Sequence, residues 1–346
     1  MPENGPGLSY GAAGVDREVA ARAKNRISQL VESTRTSDVV SRAGGFGGLF
    51  RVPAGFRKPV MVSSADGVGT KLKVAMMADR HDTVGVDLVN HCVNDILVEG
   101  ARPLFFLDDL GMGRLEARPV EALVTGLALG CRDNECVLLG GETAEMPDFY
   151  QPGEYDLAGF IVGMVDEDAR PGAHRLRAGD VLIGFESAGF HTNGYSLLRR
   201  LFFDRLGLGI DDRYPDTDQP LADVLLRPHR SYAPALLPLI GSGYVRALAH
   251  ITGGGIPENL ARVLPDEVRA RIDSTSWQVP VEFAAVERLG RIDREEMFLT
   301  FNMGVGMIAI VAKQDVDGVL GSLRRGGMGA WVIGELEAGP REVVIG

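Results

Sequence analysis

The sequence predicts an α/β protein of two domains, and three observations support this. The chain has 346 residues, which is roughly the length of two ordinary domains. Short runs rich in Val, Ile, Leu and Phe alternate with stretches of helical periodicity. Glycine, at 45 residues, is about twice as frequent as usual and clusters where the apolar runs end. Loops of this kind often approach ligands closely.

The predicted elements follow in order. In the first half, strands are predicted at Val60–Val62, Leu104–Leu107, Val137–Leu139 and Phe160–Val165, and helices near Val86–Glu99 and Pro119–Gly130. After the break at Arg170-Pro171-Gly172, strands are predicted at Val181–Phe185, Gly306–Ala312 and Trp331–Ile333, and helices near Gly194–Arg205, Ala222–Ile240 and Ile256–Val263. The expected domains are therefore 1–168 and 169–346.

The composition limits the possible functions. A net charge of −11 argues against nucleic-acid binding, which relies on many Lys and Arg contacts to phosphate. No apolar run of about 18 residues is present, and the first residues have no apolar signal region, so we expect a cytoplasmic protein without a membrane span. Cys92, Cys131 and Cys136 form no C-x-x-C pair and are expected to be buried thiols.

The segment Asp66–Lys71 follows an apolar run that predicts a buried strand. Asp66 can hold a divalent cation, the glycines Gly67 and Gly69 let backbone N–H groups approach an anion, and Lys71 adds a positive charge. This layout suits phosphate and metal binding. The alternative is an ordinary glycine-rich turn with a solvated Lys. The P-loop pattern is absent, because Thr70 precedes Lys71 instead of following it.

The predicted helix Val86–Glu99 carries an unusual polar face. Asp87, His91 and Asp95 are spaced four residues apart and share one side, with Asn94 at its edge. Carboxylates and amides suit Mg²⁺ and its water shell, so the face is expected either to contact a ligand or simply to be exposed. A transition-metal pair of Asp87 and His91 lacks an evident third ligand.

A third acid follows the predicted strand Val137–Leu139. Gly140 and Gly141 permit a tight turn that would expose the carboxylate of Glu142, although a plain Gly-Gly turn is the simpler interpretation. Together, Asp66, Asp95 and Glu142 could hold Mg²⁺ that bridges the phosphates of a nucleotide.

Two segments of the second half are further candidates. His191, two residues before Asn193, precedes a predicted helix capped by Thr192 or Asn193 and could contact an anion or transfer a proton; a packed loop histidine is the alternative. The segment Thr252-Gly253-Gly254-Gly255 leads into a helix whose free N–H groups would bind an anion. Phe301–Gly306 is expected either to line the same cleft or to pack in the core.

Taken together, these motifs resemble the phosphoribosylformylglycinamidine cyclo-ligase family of purine biosynthesis. The resemblance runs nearly end to end and rests on Tyr10 with Gly14-Val15-Asp16, Gly44–Gly48, Asp66–Lys71, Val93–Leu97 with Gly100–Pro103, Gly140–Pro147, His191–Ser196, His250–Asn259 and Thr300–Gly306.

The resemblance implies a fold and a reaction. The implied fold has an N-terminal α/β domain whose sheet pairs into a barrel across a homodimer, a C-terminal layered α/β domain, and ATP in the cleft between them. The implied reaction is cyclisation of formylglycinamidine ribonucleotide to 5-aminoimidazole ribonucleotide. ATP would phosphorylate the formyl amide oxygen to an iminophosphate, and the amidine nitrogen would then displace phosphate.

The resemblance also implies roles for individual residues. The metal acids would be Asp66, Asp95 and Glu142 for Mg²⁺, and the catalytic residues would be Asp66, Lys71 and His191. The other implied ATP and phosphate contacts are Gly67, Gly69, Thr70, Lys71, Asn94, Asp95, Gly140 and Gly141. The implied substrate contacts are His191, Asn193, Thr252, Gly253, Gly254 and Gly255. The glycine loop Gly44–Gly48 resembles a segment that closes on nucleotide.

Three positions depart from the family pattern. Ala12 stands where relatives usually carry Asp, Ser28 where some carry a nucleotide-binding Lys, and His91 where an apolar residue is common. Lys24 is a candidate replacement for the missing Lys, and His91 is expected to be incidental. The alternatives are another ATP-using enzyme of the superfamily and a catalytically silent nucleotide-binding protein. Retention of Asp66, Lys71, Asp95 and Glu142 argues against the silent protein.

Overall fold

The structure is a computed structural model that describes residues 26–41 and 45–346. The expectations for Tyr10, Ala12, Gly14–Asp16, Lys24 and Gly44 lie outside the described residues. Residues 26–32 form a helical segment that includes Ser28.

After this segment, the first half continues with a four-stranded sheet and three helices. The strands are β1 (Pro59–Gly67), β2 (Arg102–Met112), β3 (Val137–Glu145) and β4 (Tyr155–Asp166), in the order β1-β4-β2-β3. Strand β4 is antiparallel to both of its neighbours, and β2 and β3 are parallel. The helices are α1 (Lys71–Met77), α2 (Asp82–Leu97) and α3 (Ala117–Asp133). Every strand and helix predicted for this half is confirmed.

The two faces of this sheet differ. Phe106 of β2 and Leu157 and Ile161 of β4 are fully buried on the face that α2 and α3 cover. On the other face, Met61 of β1 is 63% exposed and Phe160 of β4 is 42% exposed. Because side chains alternate along a strand, one face of the sheet is therefore left open within the chain.

A six-stranded sheet forms the second half. Its strands are β5 (Val181–Glu186), β6 (Val245–His250), β7 (Val268–Ile272), β8 (Val305–Val311), β9 (Ala330–Ala338) and β10 (Val343–Ile345), in the order β10-β7-β9-β5-β8-β6. The α-helices are α4 (Tyr195–Arg199), α5 (Leu221–Leu225), α6 (Ala233–Gly241), α7 (Gly255–Ala261), α8 (Val281–Gly290), α9 (Arg294–Thr300) and α10 (Val316–Arg325). A π-helical turn, Arg200–Arg205, continues α4, and single 3₁₀ turns lie at Glu167–Ala169, Ala173–Arg175 and Lys313–Asp315.

Two expectations for this half are wrong. The single helix predicted over Ala222–Ile240 is two helices, α5 and α6, because Pro228 lies between them and a proline removes a backbone donor and disfavours helix before it. The residue before α4 is Gly194 at φ +77°, and neither Thr192 nor Asn193 caps that helix. A left-handed turn there favours glycine.

Burial agrees with the composition. All three cysteines are buried free thiols, which confirms that expectation. Among the described residues, no helix has both the length and the apolar character needed to cross a membrane.

Candidate active site at the junction of the two halves

Helix α2 presents its polar face to the second half of the chain. The Asn90 side-chain amide donates to the His229 carbonyl at 2.7 Å, and the Asn94 amide donates to the Arg230 carbonyl at 2.8 Å. The Asn94 side-chain oxygen also accepts the Tyr232 N–H at 2.9 Å. The partners lie in the segment Arg227–Tyr232, which we call the junction segment.

These contacts correct the expectation for the face. Over most of its length the polar face of α2 contacts the junction segment instead of solvent or a ligand cleft. Asp87, Asn90 and Asn94 are all buried there. Asn94 is fully buried, and both ends of its amide are already hydrogen-bonded. Because it is fully buried, its amide does not reach a phosphate in this arrangement. Within the trio predicted to share a side, Asp95 is the least buried, with 27% of its side chain exposed.

Lys71 begins helix α1 and is completely buried. Its ammonium lies 2.7 Å from a carboxylate oxygen of Asp87 and donates to the carbonyls of His191 at 3.0 Å and Arg227 at 2.9 Å. Burial lowers the pKa of Lys71, although the charge of Asp87 opposes this. Because an ammonium has three N–H groups, all of them are used here and none points to a phosphate. The expected solvated or phosphate-facing Lys is therefore replaced by a buried link between the two halves.

Asp66 and Asp95 come together, as the sequence predicted for two of its three acids. His91 Nε2 lies 2.7 Å from Asp66 Oδ2 and 3.9 Å from Asp95 Oδ2. His250, at the end of β6, brings its Nδ1 to 2.8 Å from Asp95 Oδ1. The side chains of Asp66 and Asp95 remain 42% and 27% exposed, so this cluster opens to solvent at the carboxylates.

The two carboxylates are held in their ionised forms. Burial is the largest single influence on Asp66 and by itself would raise the pKa, but the hydrogen bond and charge of His91, the Gly67 N–H and the charge of His250 together lower it. Burial likewise opposes ionisation of Asp95, and the hydrogen bond from His250 lowers the pKa of that carboxyl. Ionised oxygens of this kind are suited to cations.

Glu142 does not join this pair within the chain. Strand pairing places it beside Asp109 and in line with Ala158, on the open face of the first sheet. Asp66 is paired with Gly159, whose position faces Phe106 and α2. Ala158 and Gly159 are neighbours along β4, so their side-chain positions face opposite sides of the sheet. Glu142 and Asp66, which are in line with them, therefore also lie on opposite faces. Gly141 shares the inner face with Asp108, and Gly140 lies beside Leu107.

His191 is not at a solvent-accessible surface. Its ring is fully buried, stacks on His229 at 3.9 Å between centroids, and accepts the Ala188 N–H at 3.1 Å through Nε2. Burial lowers the pKa of His191 well below its ordinary value, which keeps the ring neutral. Its backbone is left-handed, with φ +59°. The alternative of a packed loop histidine describes this geometry.

The glycine turn before α7 lies close to the loop that follows His191. Gly254 and Gly255 have φ of +89° and +57°, and a Cβ on Gly255 would lie 1.7 Å from the Phe298 carbonyl oxygen. Asn259 secures the turn by donating to the carbonyls of Gly253 at 3.1 Å and Gly255 at 2.8 Å.

Three predicted substrate contacts meet at this turn. The Asn193 side-chain oxygen is 3.5 Å from the position that a Cβ of Gly253 would take, and Thr252 lies beside them. Nearby, the Thr70 and Ser196 hydroxyls are 3.1 Å apart, which brings the Gly67–Thr70 loop next to the start of α4. Gly69 has φ +69° in that loop.

Sequence reasoning missed the histidine cluster. Four of the six histidines, namely His91, His191, His229 and His250, lie with neighbouring ring centroids between 3.9 and 5.3 Å apart. His91 was expected to be incidental and instead contacts both acids. The signal in the sequence is that His91 lies on the polar face of α2, and that His191 and His250 begin two of the motifs that resemble the family.

Comparison with known proteins identifies the family. The model of the AIR synthase related protein, N-terminal domain, matches residues 54–165, and that of the C-terminal domain matches residues 177–346. The phosphoribosylformylglycinamidine cyclo-ligase of Trichlorobacter lovleyi is 48% identical over 334 residues, and that of Anaeromyxobacter sp. is 50% identical over 334 residues; each match covers 96% of both chains.

Solved structures give the same fold. Thiamine-monophosphate kinase from Stenotrophomonas maltophilia matches with a TM-score of 0.68 at 17% identity, covering 96% of each chain. Hydrogenase maturation protein HypE in complex with ATP matches with a TM-score of 0.66 at 17% identity, covering 94% of this chain and 91% of that one. At this identity the likeness concerns the fold alone. From the two family models and the near full-length identity to curated relatives, the chain belongs to the phosphoribosylformylglycinamidine cyclo-ligase family of AIR synthase related proteins.

Proposed function

We propose that this enzyme catalyses the ATP-dependent cyclisation of formylglycinamidine ribonucleotide to 5-aminoimidazole ribonucleotide, with ADP and phosphate as the other products. The observation that carries the proposal is the identity of 48% over 96% of the chain to a cyclo-ligase. The junction site supports it, because the acids, the glycine turns and the two loops around His191 and Thr252 face one another there. The alternative, another ATP-using enzyme of the superfamily, is supported only by likeness at 17% identity.

The proposed chemistry proceeds in two steps. The formyl amide oxygen attacks the terminal phosphorus of ATP, the bond to the bridging oxygen breaks, and ADP leaves. The amidine nitrogen then attacks the formyl carbon, which carries the phosphorylated oxygen. Phosphate departs with the former amide oxygen, and loss of a proton completes the aromatic ring. Phosphate is a much better leaving group than an amide oxygen, and this is the reason for consuming ATP.

Asp66 and Asp95 are the proposed holders of the Mg²⁺ that accompanies ATP. Their donor set fits this ion, because both are ionised carboxylates with solvent-exposed oxygens. When bound, Mg²⁺ would neutralise charge on the phosphates. The chain's own contribution is to fix the two carboxylates through His91 and His250, so that little rearrangement is needed when nucleotide arrives.

We assign Lys71 and His191 positioning roles in place of direct contact with substrate. Lys71 joins Asp87 of α2 to the backbone of His191 and Arg227, and so fixes the loop that carries Asn193. The Thr252–Gly255 turn, with Asn193 beside it, remains the proposed contact for the ribose 5′-phosphate of the substrate, because its backbone N–H groups suit an anion in an acidic chain.

We further propose the domain division at 1–168 and 169–346, a homodimer formed through the open face of the first sheet, and a cytoplasmic location. The first sheet ends at Asp166 and the second begins at Val181, which supports the division. The exposed apolar residues Met61 and Phe160 support the dimer. In such a dimer Glu142, on the edge strand β3, would act in the site of the partner subunit.

The reaction itself can be tested with the purified chain, ATP, Mg²⁺ and formylglycinamidine ribonucleotide. We expect 5-aminoimidazole ribonucleotide and ADP in equal amounts, and Asp95→Asn should reduce kcat/KM by at least about 100-fold. The matched control is Asp168→Asn, an exposed acid outside the site, which should retain full activity. A folded protein that binds ATP and produces no ADP with this substrate would contradict the proposal.

Subunit sharing can be tested by mixing two inactive variants. Asp66→Asn and Glu142→Gln proteins, each nearly inactive alone, should regain a substantial fraction of activity on subunit exchange, because one of the two sites in a mixed dimer would be intact. Mixing Asp66→Asn with Asp95→Asn is the control and should restore nothing. Equal results from both mixtures would place Glu142 in its own subunit's site.

A further inference from the structure

We propose that His91 and His250, together with Asp95 and Asp66, form a site for a divalent transition metal ion such as Zn²⁺. The ligand atoms of His91, Asp95 and His250 all lie within 4.8 Å of one another. Asp66 lies beside this trio, with its Oδ2 2.7 Å from His91 Nε2, and is the nearest candidate for a fourth donor. In a tetrahedral zinc site, neighbouring donors are about 3.3 Å apart, given bonds of about 2.0 Å. The donor pairs at 2.7 and 2.8 Å would therefore have to move apart slightly, and the wider pairs, which are separated by up to 4.8 Å, would have to move closer.

Every donor is oriented by a second partner. His91 Nδ1 is 2.8 Å from the Thr192 hydroxyl, and His250 Nε2 is 3.2 Å from His229 Nε2. Metal-bound histidines almost always use their second nitrogen in such a hydrogen bond, which fixes the ring.

The carboxylates are held in the same way. Asp95 Oδ2 accepts the Ser64 hydroxyl at 3.0 Å, and Asp66 Oδ1 accepts the Gly67 N–H at 2.7 Å. This leaves Asp95 Oδ1 and Asp66 Oδ2 directed at the imidazoles.

The chemistry of the donors selects the class of ion. Two imidazole nitrogens and two carboxylate oxygens suit zinc and its neighbours, whereas Mg²⁺ prefers oxygen ligands and retains several waters. The inference goes beyond the proposed function and does not rest on it. It has one consequence for that function: Zn²⁺ and the Mg²⁺ of ATP would share Asp66 and Asp95 and would compete.

The ion would also connect the two halves of the chain. Asp66 ends β1, and His91 and Asp95 lie on α2, whereas His250 ends β6 of the second sheet. A bound ion is expected to stabilise the native state in proportion to the logarithm of its concentration above Kd, because the unfolded chain does not hold these four groups together.

The test is a titration of the metal-free full-length chain with Co²⁺ and Zn²⁺, without nucleotide. We expect one Co²⁺ per chain with the visible absorption bands of a tetrahedral site, displaced by one Zn²⁺, and a rise in Tm with Zn²⁺. His91→Gln and His250→Gln should each weaken binding by at least about 100-fold and abolish the rise in Tm. The matched control is His174→Gln, which removes an exposed histidine outside the cluster and should bind as the original chain does.

A second pair of variants separates metal binding from a folding defect. Thr192→Val removes the partner of His91 Nδ1 and should weaken Co²⁺ binding by about 10-fold or more, whereas Thr192→Ser keeps the hydroxyl and should restore it. Full binding by a folded His91→Gln chain, or no saturable site in the original chain, would overturn the proposal. Turnover assayed with Mg²⁺ alone tests the proposed function separately, so failure of one leaves the other standing.

Discussion

At the residue scale, Lys71 shows how a motif residue can serve the structure instead of the ligand. Its ammonium and the Asp87 carboxylate are both fully buried, and the two halves of the chain meet at this pair. The His229 N–H also donates to Asp87 at 2.6 Å. A buried pair of this kind contributes little relative to an apolar pair, but removal of one partner leaves an uncompensated charge.

We predict that Lys71→Met lowers the free energy of unfolding by roughly 3–5 kcal/mol, because Asp87 would remain buried without its counter-charge. Urea denaturation followed by circular dichroism measures this. Lys71→Met combined with Asp87→Leu should recover part of the loss. The control is Lys58→Met, whose exposed pair with Asp168 should give no measurable change. An unchanged midpoint for Lys71→Met would refute the structural role.

Asp108 is a second residue whose chemistry is set by burial. It lies on the inner face of the first sheet against Gly141. Burial raises the pKa of Asp108 to about 7, and the charges of Asp109 and Glu142 add to the effect. The native state therefore binds more protons than the unfolded state between the reference pKa of 3.8 and about 7. The native state is therefore favoured by protonated Asp108 at low pH, and this contribution to the free energy of unfolding is lost as the pH rises from 3.8 to about 7.

We predict that Asp108→Asn raises the free energy of unfolding at pH 8 by about 2 kcal/mol and has a much smaller effect at pH 5, since an amide carries no charge to desolvate. Denaturant midpoints measured from pH 5 to pH 8 test this. Asp168→Asn, an exposed acid that is not among the charges acting on Asp108, is the control and should leave the pH profile nearly unchanged. If the stability of Asp108→Asn changed with pH in the same way as that of the original chain, a group other than Asp108 would cause the pH dependence.

At the scale of elements, the position of α2 depends on its close packing with α3. Gly85 of α2 and Gly126 of α3 lie at their crossing, where a Cβ on Gly126 would be 1.9 Å from the Asp82 carbonyl oxygen and 3.1 Å from the Gly85 Cα. Neither backbone atom can move without moving a helix. Since α2 carries His91 and Asp95, these glycines determine where the site forms.

We predict that Gly126→Ala lowers the free energy of unfolding by roughly 3 kcal/mol, in spite of the better helix propensity of Ala, because the added methyl group forces the helices apart. Gly318→Ala is the matched control, since it also lies inside a helix but has open space around it. It should stabilise the chain by about 0.5–1 kcal/mol. Chemical denaturation of both variants measures the contrast, and equal effects would exclude the packing explanation.

At the scale of the whole molecule, the open face of the first sheet is the main surface left to explain. Met61 and Phe160 are exposed apolar side chains on that face, and Leu107 and Ala65 lie in line with Phe160 across the strands. Exposed apolar patches of this kind mark interaction surfaces. The proposed homodimer would cover this face and would bring the edge strand β3, with Glu142, near the partner subunit.

We predict that Phe160→Arg converts the proposed dimer to a monomer, because a guanidinium buried in the proposed interface would lack a partner. Light scattering coupled to size-exclusion chromatography gives the mass directly, with 37.1 kDa expected for the monomer. Val281→Arg, which alters an exposed apolar residue of the second half, is the control and should stay dimeric. A Phe160→Arg chain of unchanged mass would move the interface elsewhere.

The sequence by itself determined the α/β class, all the strands and helices expected of the first half, and the family. Apolar runs and helical periods are local signals, and eight motifs in order are specific even without coordinates. It also predicted that Asp66, Asp95 and Glu142 could together hold Mg²⁺, and the first two of these acids both lie within 4 Å of His91. Pro228 is the local signal in the sequence for the break between α5 and α6.

Only the tertiary structure decided what each polar face contacts. Periodicity tells which residues share a side, but not whether that side meets solvent, a ligand or another part of the chain. Thus Asp87, Asn90 and Asn94 pair with the junction segment, which is more than 100 residues away in sequence. Strand register placed Glu142 on the face opposite Asp66, and long-range packing brought His250 to Asp95 and His91. Such contacts arise from how whole elements dock, which no local pattern of residues records.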